Sequence, residues 1–297
     1  MSFSPLRRKI LLAAAAIPAF AALNPLLTFA ADDKLALAQQ KLANLEKDSG
    51  GRLGVYAYNT ANGQKVQLNG EKRFPFCSTF KVIAAGAILR HSLSHQGFLD
   101  QRIHYKKSDL AAYSPISEKH LDSGMTVSEL CAAALQYSDN TSINLLMALI
   151  GGPAAVTAYA RSIGDTTFRL DRWETELNSA IPGDERDTTS PAAMAASLQK
   201  LTLGDALPNE QRQLLNSWMK GNTTGDQRIR AGVPSGAIVA DKTGSGDYGT
   251  ANDIGVVWIK DSAPLVIAIY STYAQQDAKA RNDVIASATR IVTQALA

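Results

Sequence analysis

The spacing of apolar residues predicts helices through the middle of the chain and strands near both ends. Residues 32–49 carry apolar side chains at helical spacing, and a Gly-Gly pair at 50–51 ends this predicted helix. Arg52–Thr60 alternates as a strand does, and Val66–Leu68 returns after an Asn-Gly turn as the second arm of a hairpin. From about Ser78 to Met219 the pattern is mostly helical. Three runs rich in β-branched residues and a last helix are predicted at Ala237–Lys242, Asp253–Ile259, Leu265–Tyr270 and Asp277–Ala297.

These elements predict an α+β fold. The economical assembly is an antiparallel sheet built from both chain ends and flanked by helices, with an all-helical lobe inserted between them. We place the α/β lobe at about residues 31–75 together with 221–297, and the helical lobe at about residues 76–220. A chain of 297 residues is long enough to bury a substantial core in such an arrangement.

The first thirty residues are typical of an export signal. Three basic residues at positions 7–9 precede the apolar run Ile10–Phe20, and small residues follow at Ala30 and Ala31. Residues 1–30 therefore predict a signal peptide cut near Ala30, and the Arg-Arg pair within positions 7–9 also permits twin-arginine export. Pro18 interrupts the apolar run, which argues against a membrane helix. We expect an exported protein, periplasmic in a Gram-negative host and otherwise secreted, with no membrane contact once the signal is removed.

The charge of the remaining chain is balanced. Of 30 basic residues, three lie in the first thirty positions, which contain no acid, so the rest of the chain carries 27 charges of each sign. A nucleic-acid binder would need a basic surplus, and we therefore expect no nucleic-acid partner. The sequence has no strong signal for an oligomer, so a monomer is the default.

Cysteine and histidine residues suggest no metal or redox centre. Cys77 and Cys131 form no C-x-x-C motif; an exported protein could pair them, but we favour two buried free thiols. His91 and His95 have a spacing that can bind metal on a helix, but no H-E-x-x-H pattern surrounds them, and a solvated last helical turn explains them better. We expect no metal and no cofactor.

Residues 172–187 lack sustained periodicity and contain a Pro-Gly pair, which predicts an Ω-loop. The apolar residues Trp173, Leu177 and Ile181 indicate that this loop packs against the protein. Arg172 and Asp187 bracket the loop and could close its neck with a bidentate ion pair.

The first candidate for chemistry is Ser78-Thr-Phe-Lys81. Pro75 just upstream stops any earlier helix and the apolar pattern from Phe80 onward starts one, so Ser78 is expected at a helix N-terminus. Lys81 lies three residues further on, which puts both side chains on one helix face. A serine beside an amine that can take its proton is an activated nucleophile. Alone, such a short pattern is expected about once by chance in a chain of this length.

Two further motifs follow in the chain. Ser138-Asp-Asn140 lies after a helix opened by a capping box at Thr126–Glu129, and its residues suit either a helix cap or a proton relay with a polar substrate contact. Lys242-Thr-Gly-Ser-Gly246 lies on a predicted strand whose small residues allow close approach of a ligand. The overlapping Gly244–Gly249 segment matches the G-x-G-x-x-G dinucleotide fingerprint, but a strand follows it rather than a helix, so we reject nucleotide binding.

The ordered set S-x-x-K, S-D-N and K-T-G is that of class A β-lactamases and penicillin-binding proteins. From about Ala31 to Ala297 the chain resembles a class A serine β-lactamase. In Phe76–Lys81 and Asp241–Gly249 it looks most similar to the cefotaximase-type (CTX-M-like) extended-spectrum branch. The resemblance implies hydrolysis of penicillins and cephalosporins, with a small-molecule β-lactam as the only partner.

The resemblance also implies roles for individual residues. Ser78 would form an acyl-enzyme, with the backbone N–H groups of Ser78 and Ser245 as the oxyanion hole. Ser138 would pass a proton to the departing ring nitrogen, and either Lys81, or Glu174 through a water, would be the acylation base. Substrate binding would fall to Tyr113, Asn140, Asn178, Lys242, Thr243, Ser245 and, by a looser match, Arg281 as a second carboxylate contact.

The Ω-loop sequence distinguishes a β-lactamase, which hydrolyses the drug, from a penicillin-binding protein, which the drug inhibits. Glu174-Thr-Glu-Leu-Asn178 matches the class A E-x-x-L-N pattern, in which a carboxylate and an amide hold the deacylating water. Glu176 is expected to face solvent. Some relatives have disulfides at positions that are Ala85 and Gly246 here, so neither bridge can form, which weakens any case for carbapenem hydrolysis. The alternatives are a D-Ala-D-Ala peptidase, a penicillin-binding protein, a β-lactam sensor that acylates without hydrolysis, or a glutaminase-like amidohydrolase.

Overall fold

The computed structural model describes residues 25–297, with side chains from residue 33 onward. Within this range the helices are α1 Pro25–Ser49, α2 Lys81–Ser92, α3 Val127–Gln136, α4 Asn140–Ile150, α5 Pro153–Ser162, α6 Pro191–Thr202, α7 Asn209–Lys220, α8 Ile229–Gly232 and α9 Asn282–Leu296. The strands are β1 Arg52–Asn59, β2 Lys65–Leu68, β3 Phe74–Pro75, β4 Arg102–Ile103, β5 Met125–Thr126, β6 Thr188–Thr189, β7 Ile238–Gly246, β8 Thr250–Trp258 and β9 Leu265–Thr272.

One five-stranded antiparallel sheet has the strand order β2-β1-β9-β8-β7. Strands β1 and β2 come from the beginning of the described chain and β7 to β9 from its end, so both ends build the sheet. Every residue of the central strand β9 is buried. Strand β7 lies at the edge of the sheet, where one side of its backbone has no neighbouring strand among residues 25–297.

Each face of the sheet packs against helices. On one face, apolar residues of β1 and β9 such as Val55 and Ile267 pack with α1 and α9, including Leu42 and Ile285. The other face, which includes Tyr270, belongs to a larger core shared with helices α2 to α7. Apolar side chains alternate between the two faces of the strands, so both helical layers remove apolar surface from water. The α+β fold predicted from the sequence is confirmed.

The last elements differ from the prediction at their ends. Strand β7 continues to Gly246 and β8 begins at Thr250, because these mostly small and polar residues pair across the hairpin even though few of them favour strands. The last helix begins at Asn282 rather than at residue 277. The backbone before it packs against the β7–β8 hairpin instead, since a Cβ at Gly249 would lie only 2.9 Å from the carbonyl oxygen of Lys279.

The first helix begins at Pro25, seven residues before the predicted start at residue 32. The predicted signal peptide spans residues 1–30, of which residues 1–24 lie outside the described residues, and it stays a prediction. No single helix among residues 25–297 is both long and apolar enough to cross a membrane; taken together, α4 and α5 pass on length and composition but are bent by 72°.

Candidate active site

The turn that carries Ser78 is held between two parts of the molecule. Residues Cys77–Phe80 form a short 3-10 helix that leads into α2, so the predicted helix N-terminus has a tighter first turn than an α-helix. Asn252 on β8 donates to the carbonyls of Pro75 and Phe76 at 2.8 and 3.1 Å. A Cβ at Gly244 would lie 2.6 Å from the Phe76 carbonyl oxygen, so only glycine lets β7 pass this close to the turn.

Ser78 and Lys81 meet on one carboxylate. The Ser78 hydroxyl donates to Oε1 of Glu174 at 2.8 Å, and the Lys81 Nζ lies 3.1 Å from the same oxygen. The Lys81 ammonium also donates to the backbone carbonyl of Ser138 at 2.8 Å and to Oδ1 of Asn140 at 2.6 Å. The side chains of Lys81 and Glu174 are both fully buried. Burial lowers the pKa of Lys81, and the nearby Glu174 carboxylate opposes that shift.

The Ω-loop brings Glu174 into this group. Oε2 of Glu174 accepts a hydrogen bond from the Asn178 amide at 2.5 Å, so the two residues of the E-x-x-L-N pattern are in contact. Asn144, one turn after Asn140 on α4, donates to the Glu174 carbonyl at 2.7 Å and accepts from its N–H at 3.1 Å. Asn144 was not among the predicted site residues, although its i+4 spacing from Asn140 was a signal. Glu176 is exposed, as expected.

The neck of the Ω-loop is closed by Arg172 and Asp187. Nε of Arg172 donates to Oδ2 of Asp187 at 2.5 Å, while Oδ1 accepts from the backbone N–H groups of Asp171 and Arg172. The predicted bidentate geometry is therefore wrong, because the other guanidinium nitrogens turn toward Ser179 and Asp184. The peptide bond between Glu174 and Thr175 within the loop is cis.

The Ser138-Asp-Asn140 segment serves both as a helix cap and as part of the site. Asp139 caps α4 by accepting from the N–H of Ser142 at 2.8 Å. Ser138, at φ +59°, places its Oγ 3.0 Å from the Nζ of Lys242 and 3.4 Å from that of Lys81. Burial holds the pKa of Lys242 well below its ordinary value, and the like charge of Lys81 lowers the pKa further. One hydroxyl thus lies between two amines that can exchange a proton with it.

A cleft of about 410 Å³ opens beside these groups. It is lined by Ser78, Tyr113, Ser138, Asn140, Asn178, Thr224, Arg228, Thr243, Gly244 and Ser245. Tyr113, at the entrance of the cleft, is 62% exposed. The Lys242 ammonium donates to the carbonyl of Thr243 at 2.9 Å. Because β7 is an edge strand, alternate N–H groups near Ser245 face this cleft instead of a neighbouring strand.

The arginine that lines the cleft is Arg228, not Arg281 as predicted. Arg281 does not line the cleft; it precedes α9, and its guanidinium pairs with Asp283 at 2.7 Å on the surface. Arg228 lines the cleft instead and donates to Oγ of Ser245 at 2.7 Å and to the carbonyl of Gly244 at 2.7 Å. Arg228 was not among the predicted site residues, because no local sequence pattern connects it to β7.

Cysteine and histidine side chains lie outside this chemistry. Cys77 and Cys131 are both buried, free thiols, and burial raises the pKa of each. The rings of His91 and His95 stack at 3.9 Å between centroids, at the end of α2. In the part of the chain that the structure describes, no group of three or more His, Cys, Asp or Glu side chains could hold a metal ion. The Gly244–Gly249 segment lies in the β7–β8 hairpin, so no helix follows it.

The arrangement has the parts that acyl transfer requires. A serine hydroxyl is hydrogen-bonded to a buried base, a second hydroxyl lies between two amines, and backbone donors border the cleft.

Comparisons with known proteins agree with this geometry. The model of the β-lactamase enzyme family matches residues 37–296. β-Lactamase OXY-1 of Klebsiella oxytoca is 57% identical over 290 residues, covering 98% of each chain. β-Lactamase CTX-M-97 of Escherichia coli is 57% identical over 255 residues, covering 86% of this chain and 88% of its own. A solved β-lactamase structure from Desulfarculus baarsii DSM 2075 superposes with a TM-score of 0.87 at 53% identity, covering 88% of this chain and 97% of the other. The chain therefore belongs to the β-lactamase enzyme family, as a class A serine β-lactamase.

Proposed function

We propose that this enzyme hydrolyses the β-lactam ring of penicillins and cephalosporins, extended-spectrum cephalosporins included, through an acyl-enzyme on Ser78. The observation that carries the proposal is the 2.8 Å hydrogen bond from the Ser78 hydroxyl to Glu174. A penicillin-binding protein needs a nucleophile but no base for deacylation. A buried carboxylate held over the nucleophile by the Ω-loop is what a hydrolase needs.

Acylation begins when Oγ of Ser78 attacks the lactam carbonyl carbon. Its proton passes to Oε1 of Glu174, which is the acceptor of the hydroxyl. The N–H groups of Ser78 and Ser245 stabilise the oxyanion. When the ring C–N bond breaks, Ser138 gives its proton to the departing nitrogen and takes one from an adjacent amine. Lys81 suits that supply, because burial lowers its pKa and eases release of a proton.

Deacylation uses the other side of the same carboxylate. After acylation, the proton on Glu174 passes to the neutral amine of Lys81, 3.1 Å away, which restores both groups. A water held between Glu174 and Asn178 would then give a proton to Glu174 and attack the acyl carbonyl. That proton passes from Glu174 to Oγ of Ser78 as the ester bond breaks, which releases Ser78. The side-chain contact between Glu174 and Asn178 supports this role, and Asn144 fixes the backbone of Glu174 on α4. General base catalysis of this kind contributes about 10²- to 10⁴-fold to the rate.

Substrate binding is assigned to the rest of the cleft. Lys242, Thr243 and Ser245 would hold the carboxylate of the β-lactam. Arg228 would supply the second cation, the role that the family resemblance implies for Arg281. Asn140 would contact the side-chain amide of the substrate, and Tyr113 would pack against it at the entrance. The small, exposed side chain of Ser245 favours bulky cephalosporins, because it leaves room beside β7. The space at Gly246 is occupied by the carbonyl of Asn178.

The test compares two glutamates of the same loop. Purified mature enzyme, Glu174→Ala and the matched control Glu176→Ala are assayed with nitrocefin, benzylpenicillin and cefotaxime, and each protein is examined by mass spectrometry. We expect fast turnover by the wild type and by Glu176→Ala, and a Ser78 acyl-enzyme that accumulates only in Glu174→Ala. A stable acyl-enzyme in the wild type would mean a penicillin-binding protein or sensor. A kcat/KM for cefotaxime far below that for benzylpenicillin would remove the extended-spectrum assignment.

The place of action is a second part of the proposal. The basic residues at positions 7–9 and the apolar run after them support export, and a β-lactamase protects a cell by acting outside the cytoplasm. Fractionation of cells that express the full chain should place the activity in the periplasm or medium, with residues 1–30 removed. Retention of the uncleaved chain in the cytoplasm would contradict this assignment. Size-exclusion chromatography with light scattering checks the expected monomer.

A further inference from the structure

A second cavity, of about 500 Å³, lies against the Ω-loop and shares no lining residue with the active-site cleft. One wall is the loop segment 180–185. The opposite wall is formed where β1 begins, at residues 50–52, and where β9 ends, at residues 272–274. Residues Lys72, Arg73 and Pro75 complete the lining with Thr188. The volume is within the range of about 300–1,000 Å³ that small-molecule sites occupy.

The interior of this cavity is largely apolar. Ala180, Ile181 and Pro182 line it from the Ω-loop, and Pro75 and the ring of Tyr273 line it from the other sides. Ile181 is one of the large apolar side chains that remain exposed, at 47%. The cavity therefore offers a mainly apolar surface.

Three cationic residues, Arg52, Lys72 and Arg73, line the cavity beside its apolar surface. Arg52 packs its guanidinium over the Phe74 ring and donates to the carbonyl of Arg73 at 3.2 Å. Arg73 donates to the carbonyl of Thr167 at 2.9 Å. Lys72 is exposed. Within the described chain, none of these three cations lies within ion-pair distance of a carboxylate.

The acids of the cavity do not cancel this charge. Asp184 is already paired with Arg186 at 2.8 Å and lies 3.8 Å from Arg172. The hydrogen bond from Arg186 lowers the pKa of Asp184 to about 2. Glu185 is the other acid in the lining, and it is exposed. The three cations therefore exceed the acids that are free to pair with them.

We propose that this cavity binds a small amphiphilic carboxylate, whose apolar body lies against Ile181, Pro182 and the Tyr273 ring while its carboxylate lies among Arg52, Lys72 and Arg73. Apolar surface favours burial of a hydrocarbon chain or aryl ring. Arginine and lysine donors that lack an anionic partner favour the carboxylate. The arrangement selects against neutral and cationic amphiphiles, which cannot satisfy those donors.

Binding at this cavity acts on the Ω-loop, a consequence that rests on the proposed function. Ala180 and Ile181 follow Asn178 closely in the chain, and Asn178 holds Oε2 of Glu174 at 2.5 Å. Ala180 adopts a left-handed conformation, φ +45°, where the short helix Glu176–Ser179 ends. A ligand seated against residues 180–182 therefore restrains the segment that positions the deacylating base, and kcat changes with occupancy.

Isothermal titration calorimetry with sodium octanoate tests the site. We expect saturable binding to the wild type, weaker binding of octan-1-ol, and a loss of octanoate affinity of about tenfold in Lys72→Glu, which replaces an attraction with a repulsion. Lys260→Glu is the matched control, since it makes the same charge change at the opposite end of the sheet, and it should bind like the wild type. Ile181→Asp tests the apolar wall and should also weaken binding. Absence of saturable binding, or equal affinity in Lys72→Glu, would overturn the proposal.

A kinetic experiment separates this cavity from the active site, which also receives carboxylates. With nitrocefin as substrate, octanoate in the proposed cavity should change kcat without competing with substrate, and Lys72→Glu should abolish the effect. Competitive inhibition that persists in Lys72→Glu would place the octanoate at Lys242 instead and would overturn the assignment. The calorimetry needs no hydrolysis, so failure of the proposed function would not be mistaken for failure of this site.

Discussion

Replacement of Asp187 by asparagine should loosen the neck of the Ω-loop and lower both stability and turnover. Asp187 is fully buried, and its two carboxylate oxygens accept hydrogen bonds from the backbone N–H groups of Asp171 and Arg172 and from Nε of Arg172. Asparagine keeps one acceptor oxygen for the backbone. It also removes the charge and turns an NH₂ group toward the guanidinium, where two donors cannot bond each other.

The magnitude follows from these contacts. Breaking a buried ion pair by removing one partner costs about 3–5 kcal/mol. The Arg172 side chain keeps 17% exposure and already lies 3.8 Å from Asp184, so it has another carboxylate to which it can turn. We therefore expect the lower end, a loss of about 3 kcal/mol in the free energy of unfolding, which is on the order of a hundredfold in the folded-to-unfolded ratio. Because the freed loop carries Glu174, kcat for nitrocefin should also fall, by about tenfold or more.

Urea unfolding followed by circular dichroism, with steady-state kinetics on the same samples, measures both effects. A double-mutant cycle with Arg172→Gln isolates the pair, and we expect a coupling of about 2 kcal/mol. Arg186→Gln is the control: it breaks the exposed pair with Asp184, and exposed pairs contribute less than about 1 kcal/mol. A loss below about 1 kcal/mol in Asp187→Asn, or a coupling near zero, would refute the view that this ion pair closes the loop.

Three further predictions concern the cleft. Burial holds the pKa of Lys242 well below its ordinary value, so the ammonium loses its proton at a lower pH than an exposed lysine does. KM for a carboxylate-bearing β-lactam should therefore rise as the pH becomes alkaline. Lys242→Arg, which stays charged, should flatten that pH profile. Of these two arginines only Arg228 lines the cleft, so Arg228→Gln should raise KM about tenfold and Arg281→Gln should leave it within about twofold. Equal effects on KM would contradict the assignment of the second carboxylate contact to Arg228. Gly246→Ala should lower the free energy of unfolding in urea by about 2 kcal/mol, because the new Cβ would lie 2.5 Å from a carbonyl oxygen of the Ω-loop. Unchanged stability would mean that the loop moves away without cost.

Local chemistry was readable from the sequence alone. Strands and helices have different apolar periods, so the pattern alone predicts the strands at both ends and the helices between them. The contacts within a short segment were equally accessible. Ser78 and Lys81 are three residues apart and Glu174 and Asn178 four, and at such spacings side chains of one turn face the same way. The resemblance to the family implies the roles that we propose for these residues.

Only the tertiary structure decided which distant residues meet. Arg228 reaches Ser245, and Arg281 does not line the cleft, because the outcome depends on how α8, α9 and β7 pack. Asn144 clamps Glu174 across 30 residues of chain. The polar end of β7 is a strand only because β8 pairs with it. Periodicity reports which face of an element is apolar, but not which element covers that face, since the covering contact is set by packing of the whole core.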